Sequence, residues 1–256
     1  MNKNEKEIAE MYAKLSLELE NNEIGYFQSS NLQGVMMEAI DSEYAELLHR
    51  NQLNPYSQFV TKEDGKTIWH IHTVSEEAYE KILLPVAKLS SVYIRQKDKE
   101  IKIGKRELNT CLEKELLDEF YGEKCEKYLN VSFLTPTSFK RDGKYVNYPD
   151  LRLIYGSLMR KYSAASETMD MVDEDTLEEL VEKSEIVRYR LQTSPFPMEK
   201  IRVTGFVGNI CIHANGTETL ARYIRMLLRF GEYSGIGIKT GVGMGAIRYN
   251  RRQKDE

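Results

Sequence analysis

The sequence predicts an α+β chain of two tandem ferredoxin-like (RRM-like) units with a glycine-rich loop near the C-terminus. Three observations predict it. The order strand, helix, strand, strand, helix, strand occurs twice. The composition, 41% hydrophobic and 30% charged over 256 residues, is that of a folded globular chain. Six of the sixteen glycines gather within residues 231–245.

The first unit opens with YAKLSLEL (12–19), whose loose alternation predicts a strand. Ser29, Ser30 or Asn31 then caps a helix running to His49, with Leu32, Val35, Met36, Ala39 and Ile40 at helical spacing. Asn54-Pro55 stops it. Two strand-like runs, 56–61 and 67–74, flank the turn KEDGK and predict a hairpin. Ser75, followed by Glu76 and Glu77 and an apolar stripe to Val86, predicts a second capped helix. Strand pieces follow at 91–95 and 100–103.

The second unit repeats the order without repeating the sequence. It predicts a strand at 127–133, a helix at 150–161, a strand pair at 186–191 and 201–213, a helix at 217–229 and a closing strand at 242–249. The join falls within 105–125, which divides the chain into 1–124 and 125–256. An acidic helical insert (about 166–185, helix 173–183) interrupts the second unit between its first helix and second strand.

The net charge of −4 is uneven. Residues 167–185 hold nine acids, Glu167 among them, against Lys183 alone; that local −8 leaves +4 for the remainder. Residues 221–256 hold eight bases, including Arg252 and Lys254, against Glu232, Asp255 and Glu256. A polyanionic partner is therefore compatible with an acidic chain. No apolar run approaches the roughly 20 residues of a membrane span, and MNKNEKEIAE is too charged for a signal peptide, so no membrane partner and a cytoplasmic location are expected. Cys111, Cys125 and Cys211 lack a CxxC pair and suggest neither a disulfide framework nor a zinc site. His70 and His72 share one strand face, which suits a metal pair or an RNA-facing surface; without a third ligand, a solvated polar face is the favoured reading. No metal or cofactor is expected, and His213 reads as structural.

GEYSGIGIKTGVGMG (231–245) is the strongest local signal. Glycine permits positive φ and close backbone approach, so Gly235, Gly237, Gly241, Gly243 and Gly245, with Lys239 and Thr240, could present amides and a point charge to a phosphate. Neither a dinucleotide fingerprint nor a P-loop fits: strand-like AIRY follows GVGMGA, and Ile238 rather than glycine precedes Lys239-Thr240. The alternative is a glycine-rich turn that brings the last strand beside the first. Arg222, Arg225 and Arg229 recur at three- and four-residue spacing and predict one basic helix face, able to track RNA phosphates or simply solvated.

LQGVMMEAI (32–40), LLH (47–49), NPYS (54–57), FLTPTSFK (133–140), YPDL (148–151), TGFVGNI (204–210) and the glycine loop stand in an order and spacing that spans nearly the whole chain. In these features the sequence resembles the CRISPR-associated repeat-processing endoribonucleases (Cas six) of the RAMP superfamily. The resemblance implies tandem ferredoxin-like units, CRISPR repeat RNA (pre-crRNA) as partner, and metal-independent cleavage. The 2′-hydroxyl attacks the adjacent phosphate, leaving a 2′,3′-cyclic phosphate. It also implies His49 as general acid or base, since an imidazole, with a pKa near about 6.5, exchanges protons at neutral pH. A histidine favoured by a helix C-terminus is the alternative for His49. Some relatives add a tyrosine on the first helix and a lysine beyond it; Met37 and Asn54 stand at the matching places here. Tyr44, Tyr56, Ser29 and Ser30 are the substitutes, although Tyr44 lies about 140° around a helix from His49. That departure leaves open a non-catalytic RAMP-type subunit holding guide RNA beside other effector-complex subunits. A tandem RRM protein would need the motif K/R-G-F/Y-G/A-F-V, which is absent.

Overall fold

A computed structural model describes residues 11–21, 23–166, 169–198 and 201–251. Glu167 and the terminal Arg252, Lys254, Asp255 and Glu256 lie outside the described residues.

β1 (Met11–Leu19) is a strand because it alternates from Ala13 onward: Ala13, Leu15, Leu17 and Leu19 are buried on one face, while Lys14, Ser16 and Glu18 take the other. The single helix expected over 29–49 is two, α1 (Ser29–Ala39) and α2 (Ser42–Arg50). The break has a local cause. Ile40 turns extended and stays buried, and the Asp41 carboxylate accepts the Tyr44 amide at 3.0 Å, giving α2 a cap of its own. β2 (Tyr56–Glu63) and β3 (Lys66–Thr73) form the expected hairpin around Asp64-Gly65, both at positive φ (48° and 78°). α3 (Glu76–Ala78) and α4 (Leu84–Ala87) are the ends of one continuous helix whose middle turn, Tyr79–Leu83, is π. Ser75 caps it by accepting the Ala78 amide.

The sheet order is β2-β3-β1-β5-β4, with β4 at Ser91–Ile94 and β5 at Lys99–Leu112. The strand beside β1 is therefore the long β5, and β4 hangs outside it as an edge hairpin partner. The stretch expected to join the units holds the rest of β5 and α5 (Glu113–Gly122).

The second sheet has the order β11-β6-β10-β9, the full ferredoxin-like pattern. Its elements are β6 (Tyr128–Thr137), a small hairpin of β7 (Phe139–Arg141) and β8 (Lys144–Val146), α6 (Leu151–Ala165), the insert helix α7 (Glu174–Glu182), the long pair β9 (Ser184–Pro197) and β10 (Arg202–Ala214), α8 (Glu218–Ser234), and β11 (Ile247–Asn250). The closing strand thus begins five residues later than expected, and α8 runs five residues further. No helix among the described residues is long and apolar enough to cross a membrane.

The units meet where the end of α8 crosses the open face of the first sheet. Ser57 Oγ donates to the Tyr233 carbonyl at 2.6 Å, His72 Nδ1–H donates to the Glu232 carbonyl at 2.7 Å, and Tyr12 packs on Phe230 and Tyr233. His70 and His72 are consequently buried here, which corrects the solvated-face reading. His70 lies between the Ser16 and Thr61 hydroxyls and stacks on Phe59. His213 stacks on Tyr128 at 4.4 Å.

Burial holds His70 down to about 4, against the pull of Glu63, and holds His72 well below its ordinary value. An unfolded histidine titrates at about 6.5, so below that pH the unfolded chain binds more protons, for His70 over a window reaching down to about 4. Stability is complete above that window and is lost as pH falls through it. Melting curves from pH 7 to pH 4 are expected to show Tm falling across this range, with a His70→Asn, His72→Asn variant losing much of the slope.

Candidate nucleic-acid interface

The glycine loop begins where α8 ends. Gly235, at φ 66°, caps the helix by donating its amide to the Gly231 carbonyl. The chain then threads between two backbones. A side chain on Gly237 would lie 2.3 Å from the Ser138 carbonyl oxygen, and one on Gly245 would lie 2.0 Å from that of Ile236. Gly241 sits on the Tyr56 ring, and Gly243 presses on Ser29, where a Cβ would come within 2.3 Å of the serine Cβ. Val242 and Met244 pack into a small apolar cluster with Phe196 and Val203. From the first unit, Gln58 donates its amide to the Thr240 carbonyl (3.1 Å) and its side chain to the Ser29 and Gly241 carbonyls, while accepting from Trp69 Nε1. The loop therefore docks α1 and β2 as well as joining two strands.

Most loop amides are used internally. Ile236 donates to Gly245, Gly237 to Ser157 Oγ, Ile238 to Ser138, and both Val242 and Met244 to the Lys239 carbonyl. The amides of Lys239, Thr240, Gly241 and Gly243 have no acceptor among the described residues, and the first three belong to consecutive residues. Lys239 is itself at φ 58°, the left-handed conformation that lets successive amides converge on an anion.

These residues line a cavity of about 400 Å³. Its other walls are Gln33 of α1, Gln52 to Asn54 beyond α2, Phe139 and Lys140 of β7, and Leu153, Ser157, Arg160 and Lys161 of α6. Four cations border it, Lys140, Arg160, Lys161 and Lys239, and no carboxylate does among the described residues. None of the four has an ion-pair partner among the described residues. A second cavity, of about 480 Å³, opens between the sheets, but there Glu18, Glu63, Asp64, Glu107 and Glu232 oppose Lys14, Lys66, Lys105 and Arg248. The loop cavity is the better fit to a polyanion.

His49 is exposed at the end of α2, three residues before the cavity wall that begins at Gln52. Its Nδ1–H donates to the Ala45 carbonyl at 2.7 Å. In the neutral ring this leaves Nε2 bare, the tautomer of a proton acceptor. The chain just beyond His49, rather than its ring, lines the cavity opposite the loop residues. Of the substitute residues, Tyr44, Tyr56 and Ser29 are buried, and burial, then Glu77, pushes Tyr44 up to about 12. Tyr56 accepts a hydrogen bond from Gln33 and carries the loop on its ring.

The arginine stripe has another role. Arg225 is 4% exposed and donates to the Glu119, Glu123 and Lys124 carbonyls; Arg222 donates to those of Phe120 and Tyr121; Arg229 pairs with Glu119 and Glu232. The expected open basic face is corrected: Arg222 and Arg225 cap the C-terminal carbonyls of α5, where a helix end favours cations, and Arg229 closes the cluster through carboxylates. Among the described residues, no group of three or more His, Cys, Asp or Glu is placed to hold a metal.

The model of the family described as CRISPR-associated endoribonuclease Cas6 matches residues 131–247, the stretch holding β6, α6 and the glycine loop. A protein of Streptococcus thermophilus named CRISPR-associated endoribonuclease Cas6 is 38% identical over 220 residues, 86% of this chain and 90% of the relative. The chain belongs to the Cas6 family. A Mycobacterium tuberculosis (strain CDC 1551 / Oshkosh) Cas6 endoribonuclease is 35% identical over 221 residues, 85% of this chain and 70% of that one. Among solved structures, a Cas6 product complex superposes with a TM-score of 0.81 at 24% identity, covering 94% of this chain and all of that one. Cas6 of Thermus thermophilus gives 0.71 at 21% identity, covering 94% and 99%. The fold is therefore the tandem ferredoxin-like fold of Cas6.

The loop contacts make a contrast between two glycines. Gly243→Ala, at φ 124° against Ser29, is expected to cost about 2–4 kcal/mol. Gly34→Ala, in open space within α1, is expected to stabilise by about 0.5–1 kcal/mol. Paired urea unfolding curves check both signs.

Proposed function

We propose that this Cas6-family chain is a metal-independent endoribonuclease that binds CRISPR repeat RNA and cuts it within the repeat. The observation that carries the reading is the cavity with no carboxylate among its described walls, where four cations without ion-pair partners border three of the glycine loop's unpartnered amides. Such a site holds the phosphate beside the cut and stabilises the charge that grows on its oxygens as the bond breaks. The 2′-oxygen of the preceding nucleotide attacks phosphorus, the bond to the 5′-oxygen breaks, and a 2′,3′-cyclic phosphate and a 5′-hydroxyl result. His49 Nε2 takes the 2′-hydroxyl proton as general base, and the departing 5′-oxygen takes one from solvent. Transfer of the product to other effector-complex subunits, in the cytoplasm, belongs to the same reading.

The test is incubation of the protein in EDTA with labelled repeat RNA from its own host, followed by mapping of the product ends. A single cut leaving a 2′,3′-cyclic phosphate is expected. Tight binding without cleavage would instead favour a subunit that only holds guide RNA. His49→Ala is expected to slow cleavage by about 10²-fold or more with binding retained. Arg160→Ala and Lys239→Ala are each expected to weaken binding and to flatten the plot of log affinity against log salt by about 0.7–0.9. Arg225→Ala, which uncovers the end of α5, is expected to lower Tm instead.

A further inference from the structure

Lys161 closes α6 against the glycine loop. Its ammonium has three donors and three acceptors: the Ser234 carbonyl at 3.1 Å, the Gly235 carbonyl at 3.0 Å and Thr240 Oγ1 at 3.0 Å. The carbonyls belong to the last turn and cap of α8, which no further helical turn satisfies. Thr240 belongs to the loop, and its carbonyl accepts the Gln58 amide of β2. One nitrogen thus ties α6, the end of α8 and the loop segment that carries three consecutive unpartnered amides. No carboxylate binds it among the described residues. Glu76, Glu77 and Glu80 line the cavity on its far side, with Glu77 engaged by Lys81, while Arg160, Lys140 and Lys239 border the loop cavity.

The protonation of Lys161 decides what the Thr240 hydroxyl can do. A charged Lys161 donates to all three acceptors, so Thr240 Oγ1 receives a proton there and its own hydrogen is free. A neutral Lys161 has two N–H groups and one lone pair; the N–H groups serve the two carbonyls, and the lone pair engages the Thr240 hydrogen. Burial, and then the nearby Arg160 guanidinium, bring Lys161 down to about 7, so both forms are populated near neutrality. A phosphate in the loop cavity attracts the charged form, and by reciprocity the charged form strengthens phosphate binding.

We propose that Lys161 is the positioning residue of the glycine loop, and that its protonation frees the Thr240 hydroxyl to donate to an RNA phosphate, so that repeat RNA binding takes up a proton from solvent. The inference rests on the reading above that the loop cavity holds the RNA backbone.

The test uses the His49→Ala protein, so that neither cleavage nor the His49 imidazole contributes. Calorimetric titration with repeat RNA at pH 8, in buffers of different ionisation enthalpy, counts the protons exchanged. Uptake approaching one proton per RNA is expected, with affinity falling as much as about tenfold per pH unit above pH 7. With Lys161→Arg, which stays charged, uptake should vanish and the affinity should stop depending on pH. Lys161→Met should bind more weakly at pH 6.5 and also take up no proton; if it does not fold, the arginine variant alone decides. Persistence of the uptake in Lys161→Arg would overturn the proposal and leave the loop cavity standing, as would tight binding with no uptake when Lys161 is intact. Absence of any RNA binding at any pH would overturn the cavity reading and this proposal with it.

Discussion

The contact on which the rest depends is the seating of the glycine loop against α1 and β2. Gly243 on Ser29, Gly241 on Tyr56 and the Gln58 hydrogen bonds leave no room for side chains at the interface. That seating does three things together. It joins the two sheets, it fixes the conformation that leaves the Lys239–Gly241 amides without acceptors, and it brings the chain beyond α2, and with it the end bearing His49, to the cavity. An unbound flexible loop of the same sequence would have to lose its conformational freedom on meeting RNA; here folding has already ordered it.

Charge is partitioned between structure and site. The cations of α8 are spent on the carbonyl end of α5 and on Glu119 and Glu232, where they hold the junction of the units. Four cations without carboxylate partners among the described residues, from β7, α6 and the loop, converge on one cavity. Of the acidic insert, Glu174 and Glu178 pair with Arg152 on α6. A net charge of −4 is therefore no guide to what this surface attracts.

Much of this was legible in the sequence. Alternation in YAKLSLEL and the Asp64-Gly65 turn fixed strands because one face of each is apolar, and the βαββαβ order followed. What was not legible has identifiable causes. Beyond Ile103, β5 is held by its ladder to β1 and has few buried side chains, so it carries no periodic signal, and α5 behind it went unseen. Without α5 the arginine stripe had no visible partner and read as open. The loop glycines were recognised, but their chief role, close packing on backbone and on Tyr56, depends on residues about 100 to 200 positions away. Arg160 and Lys161 lie on an amphipathic helix and look like any solvated pair; only the fold carries them to the loop.

The central claim is that the scissile phosphate lies on the loop. The most direct measurement is a structure of the chain bound to its repeat RNA with a 2′-deoxy sugar at the cleavage position, which removes the nucleophile. A phosphate oxygen within about 3.2 Å of the Lys239, Thr240 or Gly241 amides, with His49 Nε2 facing the deoxy position, is the predicted result. The scissile phosphate lying between the two sheets, against Lys14 and Arg248, would contradict it.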